Sequence, residues 1–145
     1  MSENNNDALL LENQLCFPLY ACSREVIKLY RPYLDALGLT YTQYIALMVI
    51  WEEGTVSVRD LGKRLYLDSG TLTPVLKPLE AVGYIPRRRC PSDERVLLVT
   101  ITDTGKELRE RAMDVPGKLA QCVKLEADEA ATLYRLLYKR LGEEK

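Results

Sequence analysis

Apolar residues at Leu11, Leu15, Leu19, Cys22, Val26, Leu29 and Tyr33 recur at spacings of four and three, which predicts one long helix with a narrow apolar seam. A seam of that shape needs a partner surface. Pro18 falls inside it and fits a helix that begins near Asn13, because amides of a first turn have no intrahelical acceptor. Pro32 and Gly38 disrupt and end the stretch. Thr40-Tyr-Thr-Gln43 has capping-box spacing and opens a second helix, Tyr41 to about Glu53, which carries the apolar run Tyr44 to Trp51 and is closed by Gly54.

Polar caps then follow one another closely. Ser57-Val-Arg-Asp60 starts a short helix through Leu65, and Asp68 or Ser69 caps the next one. In that helix Leu72, Val75, Leu76, Leu79 and Val82 form the expected buried stripe, leaving Gly70, Thr71, Thr73, Pro74 and Lys77 on or near the other face. Pro74 and Pro78 each remove an amide donor and predict a local bend. Gly83 stops the helix. Tyr84 to Arg89 and Arg95 to Ile101 are β-rich runs joined by the polar turn Pro91-Ser-Asp-Glu94. Thr102-Asp-Thr-Gly105 begins a further helix, with Thr104 and Glu107 at capping-box spacing, until Val115-Pro-Gly117 interrupts it. A last helix runs from about Ala127 to Leu141, with Ala130, Leu133, Leu137 and Leu141 on one face. The order helix, helix, hairpin predicts a mainly α fold with a small β-hairpin wing. The winged helix-turn-helix covers 41–101, and partner-seeking helices cover 8–38 and 103–143 of a single 145-residue domain.

Charge sharpens this picture. The net charge of −1 argues against a generic polyanion binder, which needs many uncompensated cations. Between Ser57 and Thr100, however, eight Lys or Arg face five acids, so the remainder carries twelve against sixteen. The cations gather on the unit expected to read double-stranded DNA. Ser69, Thr71 and Thr73 offer hydroxyls to bases or phosphates, and Lys77 offers a phosphate contact, from a helix laid in the major groove. Arg87, Arg88, Arg89 and Arg95 lie on the wing, where Arg95 suits the narrow minor groove. Asp93, two residues earlier, is positioned to hold that guanidinium in a bidentate pair. A surface ion pair worth at most ~1 kcal/mol is the plainer alternative.

The polar, acidic start of the chain is neither a secretory signal nor a transit peptide, and no apolar run is long enough to span a bilayer, so a cytoplasmic protein without a membrane partner is expected. The four cysteines should then be reduced. With no histidine and no Cys-x-x-Cys pair, neither a zinc site nor Ser-His or Cys-His catalysis is expected. No cofactor and no enzymatic activity are implied.

The segments Leu11-Glu-Asn-Gln-Leu-Cys-Phe-Pro-Leu-Tyr20, Arg31-Pro-Tyr-Leu-Asp35, Gly38-Leu-Thr-Tyr-Thr-Gln-Tyr44 and Tyr66-Leu-Asp-Ser-Gly-Thr-Leu-Thr-Pro-Val-Leu-Lys77 together resemble the OhrR branch of the MarR family, whose members are organic-hydroperoxide-sensing repressors. The likeness extends through Asp93-Glu-Arg95 and Thr102-Asp-Thr-Gly105. It implies an intertwined homodimer whose two winged helices grip a pseudopalindromic operator. It also implies that Cys16 is the peroxide-reactive thiol, with Tyr30 and Tyr41 bonding its sulfur and Tyr20 contributing from the partner subunit. An Asn13 cap would set Cys16 in a first turn, where free amides and the helix dipole favour the thiolate nucleophile. The apolar Leu15, Phe17 and Leu19 around it favour organic over hydrogen peroxide.

Cys22 reads as a small core residue of the seam. Cys90 reads as an exposed bystander whose oxidation would disturb DNA contact. The resemblance makes Cys122 the candidate resolving thiol; a low-molecular-weight thiol is the alternative resolver. One departure is Pro78, which stands where family members commonly carry a basic residue, so the end of the recognition helix is expected to shift. The rival readings are a MarR-type regulator released by a small aromatic ligand, with incidental cysteines, a thiol peroxidase, and a redox-independent DNA-binding dimer.

Overall fold

The computed structural model describes residues 5–143. Its elements are α1 (Cys16–Asp35), α2 (Tyr41–Glu53), β1 (Thr55–Ser57), α3 (Val58–Leu65), α4 (Ser69–Val82), β2 (Arg87–Cys90), β3 (Asp93–Thr100), α5 (Asp103–Ala112), α6 (Val115–Ala120) and α7 (Ala127–Arg140). They fall into two compact units, one running through Val115 and the other starting at Pro116.

The first unit is built around α2. Its apolar run leaves Tyr44, Ala46, Leu47, Val49 and Ile50 buried, so α2 is a central rather than a surface helix. The predicted capping box forms in full: the Gln43 amide donates to Thr40 Oγ1 at 3.2 Å, and the Thr40 amide donates to the Gln43 side chain at 3.0 Å. Gly54 ends the helix at φ 77°, and its carbonyl accepts the Ile101 amide. Leu61, Leu72, Leu76, Leu79, Ile85, Val99 and Leu108 complete the core, each burial stabilising by roughly 1.5–3 kcal/mol.

α1 departs from the expected start. Leu11–Asn13 forms a short 3-10 turn, and Leu15, not Asn13, precedes the first helical residue. Asn13 instead donates its side-chain amide to the Asp7 carbonyl. The helix also passes through Pro32 and ends only at Asp35. Along the seam, Leu19 and Val26 are exposed, Leu29 and Tyr33 half-buried, and Cys22 is exposed rather than in the core.

α4 departs from expectation in its buried stripe. It runs continuously from Ser69 to Val82 through both prolines, and Gly83 caps it at φ 95°, the stop its position predicts. Pro74 and Pro78 lie on the exposed face with Gly70, where the carbonyls deprived of a donor remain open to water. Each proline costs about 3 kcal/mol in a helix interior, and the fully covered Leu72, Leu76 and Leu79 offset that. Val82, expected inside, is exposed, and Val75 is half-buried.

The sheet is antiparallel in the order β1-β3-β2, with Val56 opposite Val99 and Arg88 opposite Leu98. β1 is too short to show alternation in sequence, and only its pairing with β3 makes it a strand. Of the wing strands, β2 starts and ends later than its composition suggests, and β3 starts and ends earlier. Tyr84 and Pro86 are spent on closing α4 and meeting Thr102 and Thr100, and the reversal tightens to Pro91-Ser92, with a bulge between Arg89 and Cys90. At α5 the cap is Thr102, whose hydroxyl accepts the Gly105 amide at 3.0 Å, rather than Thr104.

The second unit holds the remainder of α6, and α7. α7 opens on a Glu126–Glu129 capping box and has no buried residue; Leu133, Leu137 and Leu141 are 45%, 38% and 48% exposed. Among the described residues, no helix is long and apolar enough to cross a membrane.

The turn between α3 and α4 is a tight joint of the first unit. A Cβ built on Gly62 would stand 2.5 Å from the Leu67 carbonyl oxygen, which is backbone and has little room to move. Gly62→Ala should therefore lower the unfolding free energy by about 2 kcal/mol in a urea titration. Thr40→Ala, which removes only a cap, should lower it by about 1 kcal/mol.

Candidate functional site

α4 presents its DNA-facing candidates as its pattern predicts. Asp68 caps the helix by accepting the Thr71 amide at 2.7 Å, and this bond holds the Asp68 carboxyl below its ordinary value. Ser69, Gly70, Thr71 and Lys77 are exposed. Thr73 is half-buried and donates its hydroxyl to the Ser69 carbonyl at 3.1 Å, which leaves that oxygen able to act only as an acceptor.

On the wing, the expected fork forms. Arg95 donates from Nε to Asp93 Oδ1 at 3.1 Å and from Nη2 to Oδ2 at 3.3 Å, while its own amide donates to Oδ1. Its side chain stays 91% exposed, so the pair orients a guanidinium that faces solvent. The Arg95 bonds hold the Asp93 carboxyl low. Arg88 and Arg89 are exposed with no ion-pair partner among the described residues.

Arg87 stands apart from that set. Its side chain is only 18% exposed and donates to Glu80 on α4 at 3.2 Å, and its amide donates to the same carboxylate at 3.0 Å. Its Nε is buried without a partner. Arg87 therefore ties the wing to α4 instead of joining the open cations. Nothing in the sequence singled it out from Arg88 and Arg89 except alternation along a strand, which puts it on the opposite face from Arg88.

Cys16 is the exposed first residue of α1, in the first turn as expected though without the Asn13 cap. Tyr30 and Tyr41 meet at 4.9 Å between ring centroids, and Tyr44, which sequence reasoning did not single out, joins them at 5.6 Å from Tyr30. Burial, then the neighbouring Tyr44, raises the Tyr30 phenol above 10.0, and burial, then Tyr41, raises Tyr44. These phenols keep their protons. Tyr20 is exposed and carries Arg24 over its ring at 5.5 Å.

Helix geometry separates the thiol from this cluster. Cys16 and Tyr30 belong to one continuous helix, and at 1.5 Å per residue they stand roughly 21 Å apart along its axis. No side chain bridges that span, so within one chain Tyr30 and its stacked Tyr41 cannot bond the Cys16 sulfur. Of the three tyrosines expected around Cys16, Tyr20 is the one that stands one turn away on the same helix.

Of the other two thiols, Cys90 differs from its expected exposed setting. Cys90 is half-buried, with its sulfur 3.2 Å from the Ser92 hydroxyl, a bond that lowers its pKa. Cys122, in the second unit, is half-buried and faces the Lys118 carbonyl at 3.5 Å.

The family described as transcriptional regulator SarA/Rot matches residues 28–112. The organic hydroperoxide resistance transcriptional regulator of Bacillus subtilis is 48% identical, over 96% of this chain and 95% of that protein. The chain belongs to the MarR family of transcriptional regulators. Among solved structures, reduced AbfR bound to DNA is 36% identical to this MarR-family chain, with a TM-score of 0.78 over 96% of it and 97% of the other. AbfR, from Staphylococcus epidermidis, has also been solved overoxidised on DNA and with a disulfide formed. The reduced form of MarR from E. coli is 32% identical, with a TM-score of 0.71 over 88% of this chain and 96% of that one.

The tyrosine cluster makes a titration prediction. A folded phenol pKa raised above 10.0 contributes stability that is complete below the unfolded value and is lost as pH rises through the folded one. The thermal midpoint should therefore fall on alkaline titration above pH 10, and Tyr30→Phe and Tyr44→Phe should each flatten that fall.

Proposed function

We propose that this chain is a cytoplasmic, homodimeric repressor that binds operator DNA and releases it when Cys16 is oxidised by an organic hydroperoxide. It acts as a sensor rather than an enzyme. The observation that carries the sensing step is an exposed Cys16 at the first position of α1, flanked by the exposed apolar Leu15, Phe17 and Leu19. The similarity to a hydroperoxide resistance regulator and to a protein solved in reduced, overoxidised and disulfide states supports the same reading.

The dimer follows from two facts about α1. Its seam stays open in the single chain, and its thiol lies too far from Tyr30 and Tyr41 of the same chain. A second copy running antiparallel supplies both the apolar partner and the phenols, so Tyr30 and Tyr41 come to Cys16 from the partner subunit and Tyr20 from its own.

In the reaction the Cys16 thiolate attacks the terminal peroxide oxygen, the O–O bond breaks, and the alkoxide leaves as an alcohol after taking up a proton. The sulfur is oxidised to a sulfenic acid and the peroxide is reduced. Phenols that retain their protons are suited to donate to the thiolate and to the departing alkoxide. The sulfenic acid then condenses with the Cys122 thiol, releasing water and forming a disulfide. Oxidation moves α1 and with it the spacing of the two α4 helices, which must match half-sites one turn, about 34–36 Å, or a multiple of it apart.

On DNA, α4 enters the major groove with Ser69, Thr71, Thr73 and Lys77, and Arg95 enters the minor groove held by Asp93, with Arg88 and Arg89 beside it. Arg87 braces the wing from behind.

Fluorescence anisotropy on the protein's own promoter duplex at fixed salt tests the switch. Wild type should release on stoichiometric organic hydroperoxide while Cys16→Ser stays bound; release by both proteins would remove Cys16 from the role. A Cys122→Ser dimer should lose the disulfide-linked band on a non-reducing gel while still forming sulfenic acid, and persistence of that band would assign resolution to another thiol. Lys77→Ala should weaken binding and reduce the slope of log affinity against log salt by about one.

A further inference from the structure

Three phenols gather where α1 packs on α2. The ring centroids of Tyr30, Tyr41 and Tyr44 lie 4.9, 5.6 and 6.4 Å apart in their three pairings. Tyr44 follows Tyr41 by three residues on α2, so the two side chains leave neighbouring positions on one face of that helix. The sensing reaction above uses Tyr30 and Tyr41 and leaves Tyr44 without a task.

Packing accounts for the Tyr44 ring but not for its hydroxyl. Tyr44 is 2% exposed, whereas Tyr30 and Tyr41 are half-buried. A tyrosine so covered ordinarily finds a hydrogen-bond partner for its oxygen. The Tyr44 hydroxyl makes no hydrogen bond among the described residues. Nor is that oxygen sealed in, because Arg87 Nε is the one fully enclosed side-chain polar atom among those residues that lacks a partner. A covered ring therefore opens to the surface at a free donor. Burial, and next the charge Tyr44 would carry, raises the Tyr30 phenol; burial, and next Tyr41, raises Tyr44. The three oxygens thus share one neighbourhood as well as their rings.

We propose that Tyr44 gives its proton to the departing alkoxide when Cys16 of the partner subunit is oxidised, an inference that rests on the sensing reading above. Tyr30 and Tyr41 then serve the sulfur, and Tyr44 serves the peroxide. The thiolate attacks the terminal peroxide oxygen, which keeps its hydrogen; the S–O bond forms, the O–O bond breaks, and sulfur is oxidised to the sulfenic acid. The electron pair of the O–O bond leaves on the alkoxide oxygen, which takes the Tyr44 proton and departs as an alcohol. The phenolate left behind recovers a proton from water.

Two oxidants that differ in their need for that proton test the role on the full-length reduced protein and its Tyr44→Phe variant. tert-Butyl hydroperoxide expels a strongly basic alkoxide, while peracetic acid expels acetate, a weak base that leaves without a proton. Cys16 sulfenic acid is trapped with dimedone and followed by mass spectrometry. The ratio of the tert-butyl hydroperoxide rate to the peracetic acid rate should fall roughly 100-fold in Tyr44→Phe, the low end of what a positioned proton donor contributes. A ratio within one protein cancels any loss of folded material. An unchanged ratio, whether both rates fall together or neither moves, overturns the proposal. If Cys16 of the unsubstituted protein is oxidised by neither peroxide, the sensing reading itself fails, and that outcome is seen before the variant is compared.

Discussion

The recognition helix, the wing and α5 are held to one another at a single junction around Thr102 and Gly105. The Thr102 hydroxyl donates to the Gly83 carbonyl at 2.7 Å, with the Tyr84 carbonyl at 3.0 Å, and accepts the Gly105 amide. The Trp51 indole donates to the Gly105 carbonyl at 2.9 Å, bringing the central helix into the same knot. Glycine is required at the centre because a Cβ would collide with the Ile101 side chain and stand 2.5 Å from the Tyr84 carbonyl oxygen. The end of α4, the end of β3 and the start of α5 thus share a few hydrogen bonds over a core of Leu79, Ile85 and Leu108.

α1 has the opposite character. Most of its side chains are exposed, only Leu34 is buried, and Arg111 of α5 reaches its end by donating to the Ala36 carbonyl. A helix with so little cover in its own chain is incomplete alone. In the proposed dimer it becomes both the structural seam and the arm that carries the thiol, so that chemistry at Cys16 acts on the surface that sets the distance between two recognition helices. In that proposal it is the rise of an α-helix, which separates Cys16 from Tyr30 of the same chain, that requires the sensor to be assembled from two chains.

The charges divide by partner rather than by number. Arg64 is clamped by Glu52 and Glu53, Arg87 by Glu80 and Arg95 by Asp93, while Lys77, Arg88 and Arg89 are open. An exposed pair such as Asp93–Arg95 contributes little to stability, and what it does is hold the Arg95 guanidinium in one orientation. Most of the chain's acids lie elsewhere, which is how a protein with net charge −1 can still offer a cationic face.

Local signals were enough for much of this. Thr40, Ser57, Asp68 and Gly83 mark helix ends that depend only on a side chain meeting an amide within three residues, or on a residue free to turn left-handed. The winged helix-turn-helix and the Asp93–Arg95 fork were legible for that reason, whereas Cys16 lies in a first turn without the Asn13 cap that led to that expectation. What tertiary structure decided were features whose cause lies far along the chain. β1 is a strand because β3 is beside it, and α4 survives two prolines because Leu72, Leu76 and Leu79 are covered from elsewhere. Arg87 differs from Arg88 because Glu80 lies beneath it, and Tyr44 joins Tyr30 because α1 packs on α2. Local patterns record what neighbours in sequence can satisfy by themselves; burial and pairing across the fold settle which competing local preferences prevail.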